Sequence, residues 1–153
     1  LFQYFFENNP IEVVSRGVDI LQSNIHDSTI TSLKYSKNTM GHIFVSWLHP
    51  FKEHRFVIVG SKGMIHFEDS LINKPLLFYD KSVLFDGDIP ITDVGPTKEL
   101  NYDQEKPLTL EIKYFLEHLN GDKIEIANGE SAVKVIEILE RATSSLKKDY
   151  NDA

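Results

Sequence analysis

The sequence predicts an α+β fold: a mostly antiparallel open sheet with helices packed on one face, the other face being left for oligomerisation or substrate. Two observations carry this. Between Ile11 and Glu68 several segments alternate apolar and polar side chains with a period of two, separated by turn-rich stretches. From Pro107 onward the apolar spacing becomes helical, and strands followed by helices, rather than strict alternation of the two, is the α+β order.

The chain opens with Leu1-Phe2-Gln3-Tyr4-Phe5-Phe6, a dense apolar run without an initiator Met, which reads as the last turns of a helix in an excised fragment. Asn8-Asn9-Pro10 ends that helix, because Asn favours turns and Pro drives its predecessor out of helical geometry. Ile11 to Leu21 and Ser28 to Tyr35, rich in Val, Ile and Thr, are the first strands, and Lys37 to Gly41 is a turn. His42 to Leu48, Arg55 to Val59 and Met64 to Glu68 alternate as further strands, with Gly60-Ser61-Lys62-Gly63 turning between the last two, so this region is expected to be an antiparallel meander. Leu76 to Tyr79 and Glu99 to Tyr102 are weaker strands. Asp86 to Thr97, with Gly87, Pro90, Gly95 and Pro96, is expected to be a loop.

Leu108, Ile112, Phe115, Leu116 and Leu119 then fall on one helical face, between Pro107 in the first turn and Gly121 as the stop. A second helix carries Ala132, Val135, Ile136, Leu139, Ala142 and Leu146, with Asn128 as its N-cap and Lys147-Lys148 near its C-terminal end. If the strands stay in phase, Ile43, Val45, Trp47, Val57, Val59, Ile65 and Phe67 share the face under the helices. His42, Phe44, Ser46, His54, Phe56, Ile58, Met64 and His66 then share a mixed, partly wet face.

Composition narrows the function. At 153 residues the length fits a single domain spanning 1–153 on the prior of ~150 residues per domain. The 16 basic and 23 acidic side chains leave a net charge of -7, which argues against a broad nucleic-acid surface. The absence of cysteine excludes disulfides, thiolate metal sites and cysteine nucleophiles, and makes the cytoplasm the default compartment. No window reaches the ~18 apolar residues of a membrane span, so no membrane partner is expected.

The isolated motifs point to no autonomous chemistry. Gly60-Ser61-Lys62-Gly63 lacks the longer pattern of a phosphate loop and sits between strands, which favours a plain hairpin turn. His49 and His54 are five apart with Pro50 between them, whereas a zinc-protease helix needs a spacing of four. Asp86-Gly87-Asp88 begins like a calcium loop, but Pro90 and Thr97 break the ligand pattern. Glu68 and Asp69 are adjacent in a strand and point to opposite faces, so they do not form a carboxylate pair. No dinucleotide fingerprint or nucleophile elbow is present.

One segment is more distinctive: Ser46-Trp47-Leu48-His49-Pro50-Phe51-Lys52-Glu53-His54-Arg55, followed by Val57 to Gly60, Ser61-Lys62-Gly63 and Met64 to Glu68. With the trailing Pro107-to-Phe115 and Ser131-to-Ser145 helices, it resembles the C-terminal domain of the glucose-fructose oxidoreductase, inositol dehydrogenase and MocA family. The resemblance covers nearly the whole chain. It implies a two-domain enzyme whose N-terminal Rossmann domain, absent from this chain, binds NAD or NADP. The present domain would close the substrate site and mediate oligomerisation.

The family's glycine fingerprint, catalytic Lys and catalytic His have no counterparts here. No catalytic, cofactor-binding or metal-binding residue is therefore assigned, and the fragment alone is expected to be inactive. What the resemblance leaves to this chain is a substrate wall. Lys52 and Arg55 would pair with a carboxylate or phosphate of a sugar or sugar nucleotide, Trp47 would stack on a sugar ring, and His49 completes the candidate set. The alternative is a core Trp47 with the two basic residues at an exposed strand end. The expected partners are a sugar-like substrate in the parent enzyme and a second or further copies of the chain, in a dimer or tetramer through the open sheet face. The rival functional reading is a stand-alone interaction module associating through that same face.

Overall fold

The computed structural model describes residues 1–151, with side chains through Lys147. In order they form α1 (Phe2–Phe6), β1 (Glu12–Val18), β2 (Ser28–Lys34), β3 (Met40–Ser46), β4 (Arg55–Gly60), β5 (Gly63–Glu68), β6 (Leu76–Asp86), β7 (Ile89–Glu99), α2 (Pro107–Glu117) and α3 (Gly129–Asn151). The fold is α+β with antiparallel open sheets, as the change of period predicts. Two compact units result, one from Leu1–His49 together with the chain from Phe115 onward, the other from Pro50–Tyr114. No described helix is long and apolar enough to cross a membrane.

In the first unit β1, β2 and β3 form an antiparallel sheet in that spatial order. Ser15, Thr31 and Ile43 lie side by side across it, so odd-numbered residues share one face. That face holds the most deeply buried side chains, Ser15, Leu33 and Tyr35, and the Ser15 and Thr31 hydroxyls hydrogen-bond across it at 2.8 Å. α1 ends at Glu7, whose left-handed backbone (φ 53) closes the helix, and its Phe6 ring meets Tyr35 edge-on at 4.7 Å.

α3 lies along β1, the edge strand. Its Ser145 hydroxyl accepts from the Ser15 N–H at 2.9 Å and donates to the Ser15 carbonyl at 3.3 Å. One turn earlier, Arg141 donates to the Pro10 and Ile11 carbonyls at 2.8 and 3.0 Å. An edge strand's outward backbone groups need partners when they are buried, and a helix laid along the edge supplies them. The N-terminus of α3 is capped as the sequence predicts, the Ser131 N–H donating to Asn128 Oδ1 at 2.8 Å.

In the second unit β4, β5, β6 and β7 form a separate antiparallel sheet in sequence order. The single meander expected from the sequence is thus divided. The segment from Trp47 to His54 has no hairpin geometry and contains Pro50, which has no N–H for a ladder.

Two further expectations are corrected. The strands are not in phase across Gly60 to Gly63: Gly60 pairs with Gly63, so Phe56 faces Phe67 and Ile58 faces Ile65, while Val57 and Val59 face His66 and Met64. A two-residue turn joins positions of opposite parity, which puts Phe56 and Ile58 with Ile65 and Phe67 on one face and leaves Val57 and Val59 exposed. The expected loop from Asp86 to Thr97 is the end of β6, a turn at Gly87-Asp88 and most of β7. Its prolines are tolerated because β7 is an edge strand and because the ladder slips between Tyr79 and Lys81, leaving Gly95 and Pro96 opposite Asp80 in a bulge. A Cβ at Gly95 would stand 2.9 Å from the Asp80 carboxyl, so only glycine allows that approach. Past Glu99 the weak strand expected to Tyr102 is irregular, tied by the Leu100 N–H to the Leu76 carbonyl and by the Tyr102 hydroxyl to the Lys74 carbonyl.

Replacing Ser145 by Ala leaves the buried Ser15 N–H without its acceptor. The expected loss is about 1–3 kcal/mol, read as a lower urea midpoint with unchanged slope. An unchanged midpoint would show that the edge of β1 does not depend on this contact.

Candidate functional site

The candidate residues of the substrate wall fall in both units. Trp47 and His49 belong to the first and Lys52 and Arg55 to the second. Trp47 follows β3, is 86% exposed, and is fastened through its backbone, its N–H donating to the Asp27 carbonyl at 2.8 Å. It is not a core residue. The His49 ring packs edge-on against Phe44 at 6.2 Å.

Around Trp47 the first unit forms an open cleft of about 350 Å³, lined by His26, Asp27, Thr29, Val45, Ser46 and Trp47. Thr29 and Val45 are direct cross-strand partners, and the cleft lies at the end of the odd-numbered face away from Leu33 and Tyr35. Ser46 Oγ accepts from the Leu48 N–H at 3.1 Å. Asp27 is 6% exposed, and its Oδ2 accepts from the Ile20 and Leu21 N–H groups at 2.6 and 2.7 Å. Its carboxylate is thereby committed to holding the loop after β1. Sequence reasoning singled out Trp47 but not His26, Asp27 or Thr29, because no local spacing links them to it; the ladder between β2 and β3 does.

In the second unit the two basic candidates sit among acids. Arg55 Nη2 lies 3.0 Å from Glu53 Oε1 and pairs in the ladder with Glu68. Its guanidinium already has carboxylate neighbours, so an incoming anion would compete with Glu53 for it. Lys52 is exposed beside Asp69, which is engaged by Lys74 Nζ at 2.6 Å and lies 3.9 Å from His54 Nδ1. Glu68 is 8% exposed and is held by the Ser70 hydroxyl and Ser70 N–H, with His66 Nε2 3.9 Å away. The Ser70 hydroxyl is the main reason its carboxyl is held below the ordinary value of 4.5, helped by the nearby His66 and Arg55. Glu68 and Asp69 thus have separate partners; Glu68 ends β5 and Asp69 lies in the turn beyond it, not in the strand as expected.

Among the described residues the strand pairs are antiparallel, and Gly60 and Gly63 pair with each other across a hairpin rather than opening a helix. A nicotinamide dinucleotide, which needs a parallel strand, a glycine-rich turn and a helix N-terminus, does not fit these elements.

The fold defines an antiparallel α+β domain with an exposed tryptophan beside an open cleft. The chain belongs to the oxidoreductase family that takes its name from glucose-fructose oxidoreductase, inositol dehydrogenase and MocA, as its C-terminal alpha/beta domain, and residues 1–150 match the model of that domain. Its fold is similar to that of UDP-N-acetylglucosamine 3-dehydrogenase GnnA from Acidithiobacillus ferrooxidans, with a TM-score of 0.78 and 14% identity over 95% of this chain. The match takes in 45% of the GnnA chain, so this chain spans under half the length of that enzyme. No curated protein matches the sequence.

The depressed Glu68 carboxyl makes stability depend on pH. Its folded value lies below its unfolded one, so its contribution is complete above the unfolded value and is lost as pH falls through the folded value, below about 4.5. In Ser70→Ala the carboxyl is expected to titrate closer to 4.5 in a carboxyl-detected NMR titration, and acid unfolding to begin at higher pH. An unmoved Glu68 titration would mean that Ser70 does not hold it.

Proposed function

We propose that this chain is the C-terminal half of an NAD- or NADP-dependent dehydrogenase acting on a hydroxyl of a sugar, cyclitol or sugar nucleotide, and that it supplies the substrate wall and the homo-oligomer interface. The observation that carries the reading is the family match across 1–150 in a chain under half the length of the dehydrogenase it resembles in fold. The cofactor is assigned to an N-terminal Rossmann domain outside this chain, which accords with the poor fit of a dinucleotide to the antiparallel elements here. Hydride transfer then belongs to the whole enzyme and not to residues 1–153.

The interface assignment is supported by apolar exposure. The even-numbered face of the β1–β2–β3 sheet carries Ile30, Met40 and Phe44, all about half exposed or more, beside His42. A biological interface would cover more than about 1,000 Å² in total. The same face is what an interaction module without chemistry would use, so activity separates the two readings.

The gene product including the sequence upstream of Leu1 is expected to reduce NAD or NADP, followed at 340 nm, with at least one cyclitol, hexose or UDP-hexosamine, while residues 1–153 alone show no turnover. A gene product that begins near Leu1, or one inert toward all these classes, overturns the dehydrogenase reading. For the interface, Phe44→Asp is expected to weaken self-association at least tenfold in sedimentation velocity. Association unaffected by that charge would exclude this face.

A further inference from the structure

We propose that the Trp47 cleft is a ring-binding subsite and that His26 is its specificity-determining residue, hydrogen-bonding a ring hydroxyl of an uncharged pyranose or cyclitol stacked on the indole. The inference rests on the dehydrogenase reading above and deepens it by assigning where the ring sits and which side chain selects it.

The lining divides in the way such a ring divides. A pyranose or cyclitol has faces of C–H bonds and a rim of hydroxyls. The cleft offers an exposed indole and Val45 to the first, and the His26 imidazole with the Thr29 and Ser46 hydroxyls to the second. Among the described residues of the lining Asp27 is the one carboxylate, committed to the Ile20 and Leu21 amides, and there is no lysine or arginine, so the lining favours an uncharged ring over a phosphate.

The backbone at the two proposed contact residues is fixed in advance of any ligand. Asp27 lies between them in the backbone network: its N–H donates to the Val18 carbonyl at 2.8 Å and its carbonyl accepts the Trp47 N–H at 2.8 Å. His26 precedes it directly in the chain. The imidazole is accommodated by a missing side chain, since a Cβ at Gly17 would stand 2.6 Å from His26 Cδ2 and 2.9 Å from Thr29 Cγ2. Gly17 and Thr29 are ladder partners, so the histidine ring lies across β1 and β2 beside the Thr29 side chain. Any larger residue at position 17 would push the imidazole out of this place. Such pre-positioning lowers the ordering cost of binding.

Trp47 is the sole tryptophan of the chain, so its emission reports on this cleft alone. The test titrates the 153-residue chain with myo-inositol, N-acetyl-D-glucosamine and UMP in turn. It also compares KM and kcat of the longer gene product with the same ring compounds or their UDP derivatives. A saturable emission change with a ring compound and none with UMP is expected. His26→Ala should raise the half-saturation concentration and KM about tenfold with kcat little changed, His26→Gln should recover much of the loss, and Gly17→Ala should act in the same direction without touching the ligand. Response to UMP alone, or to neither ring compound, overturns the subsite, as does a KM unchanged in His26→Ala. Turnover of a sugar with a silent Trp47 leaves the dehydrogenase reading standing and removes this inference. A saturable ring response without any nicotinamide-dependent turnover does the reverse.

Discussion

The first unit depends on one contact between distant parts of the chain, the run of polar groups by which α3 satisfies the outer edge of β1. Ser145 and Arg141 reach backbone groups 130 and 131 residues away, at Ser15 and Pro10. Ser15 is wholly buried, so its N–H and carbonyl have no recourse to water, and the helix hydroxyl is their substitute. The helix both closes the edge of the three-stranded sheet and completes the unit. With that edge closed by α3 and with α1 over Tyr35, the Trp47 end of the sheet remains open as the cleft.

The cleft follows from small choices in the ladder. Its walls come from three places in the sequence, the turn before β2, β2 itself and the residues ending β3, which the register of β2 against β3 brings side by side. Gly17, on the neighbouring strand, contributes by what it lacks. Asp27 spends its carboxylate on two amides rather than on a ligand. In the second unit the chain's acidity has a different effect. Glu53, Glu68 and Asp69 surround the basic residues that composition alone would offer to an anion, and exposed pairs of this kind contribute little to stability but set which charges remain open to a ligand.

Much of the secondary structure was legible because it is written locally. Alternation over Arg55 to Val59 and Met64 to Glu68, helical spacing from Leu108, and the Asn128 cap each depend on residues a few positions apart. The loop expected between Asp86 and Thr97 shows the limit. Pro90, Gly95 and Pro96 are turn residues in isolation, but an edge position and a bulge opposite Asp80 make a strand of them. Neither condition is a property of the segment itself. Trp47 was found through its surrounding motif, whereas His26 has no motif and becomes visible only across the ladder.

The sequence by itself determined most of the element types and their order, the α+β class and the resemblance carried by Ser46 to Glu68, because side-chain periodicity reports the geometry of a single segment. Tertiary structure decided how those segments meet: two sheets in place of one, Phe56 opposite Phe67 in place of an in-phase stripe, and an imidazole lodged above a glycine. The physical reason is that a strand's period of two leaves its facing undetermined by a single residue. One position more or less in a turn exchanges the faces, and only the pairing of distant backbone groups settles which of them is buried.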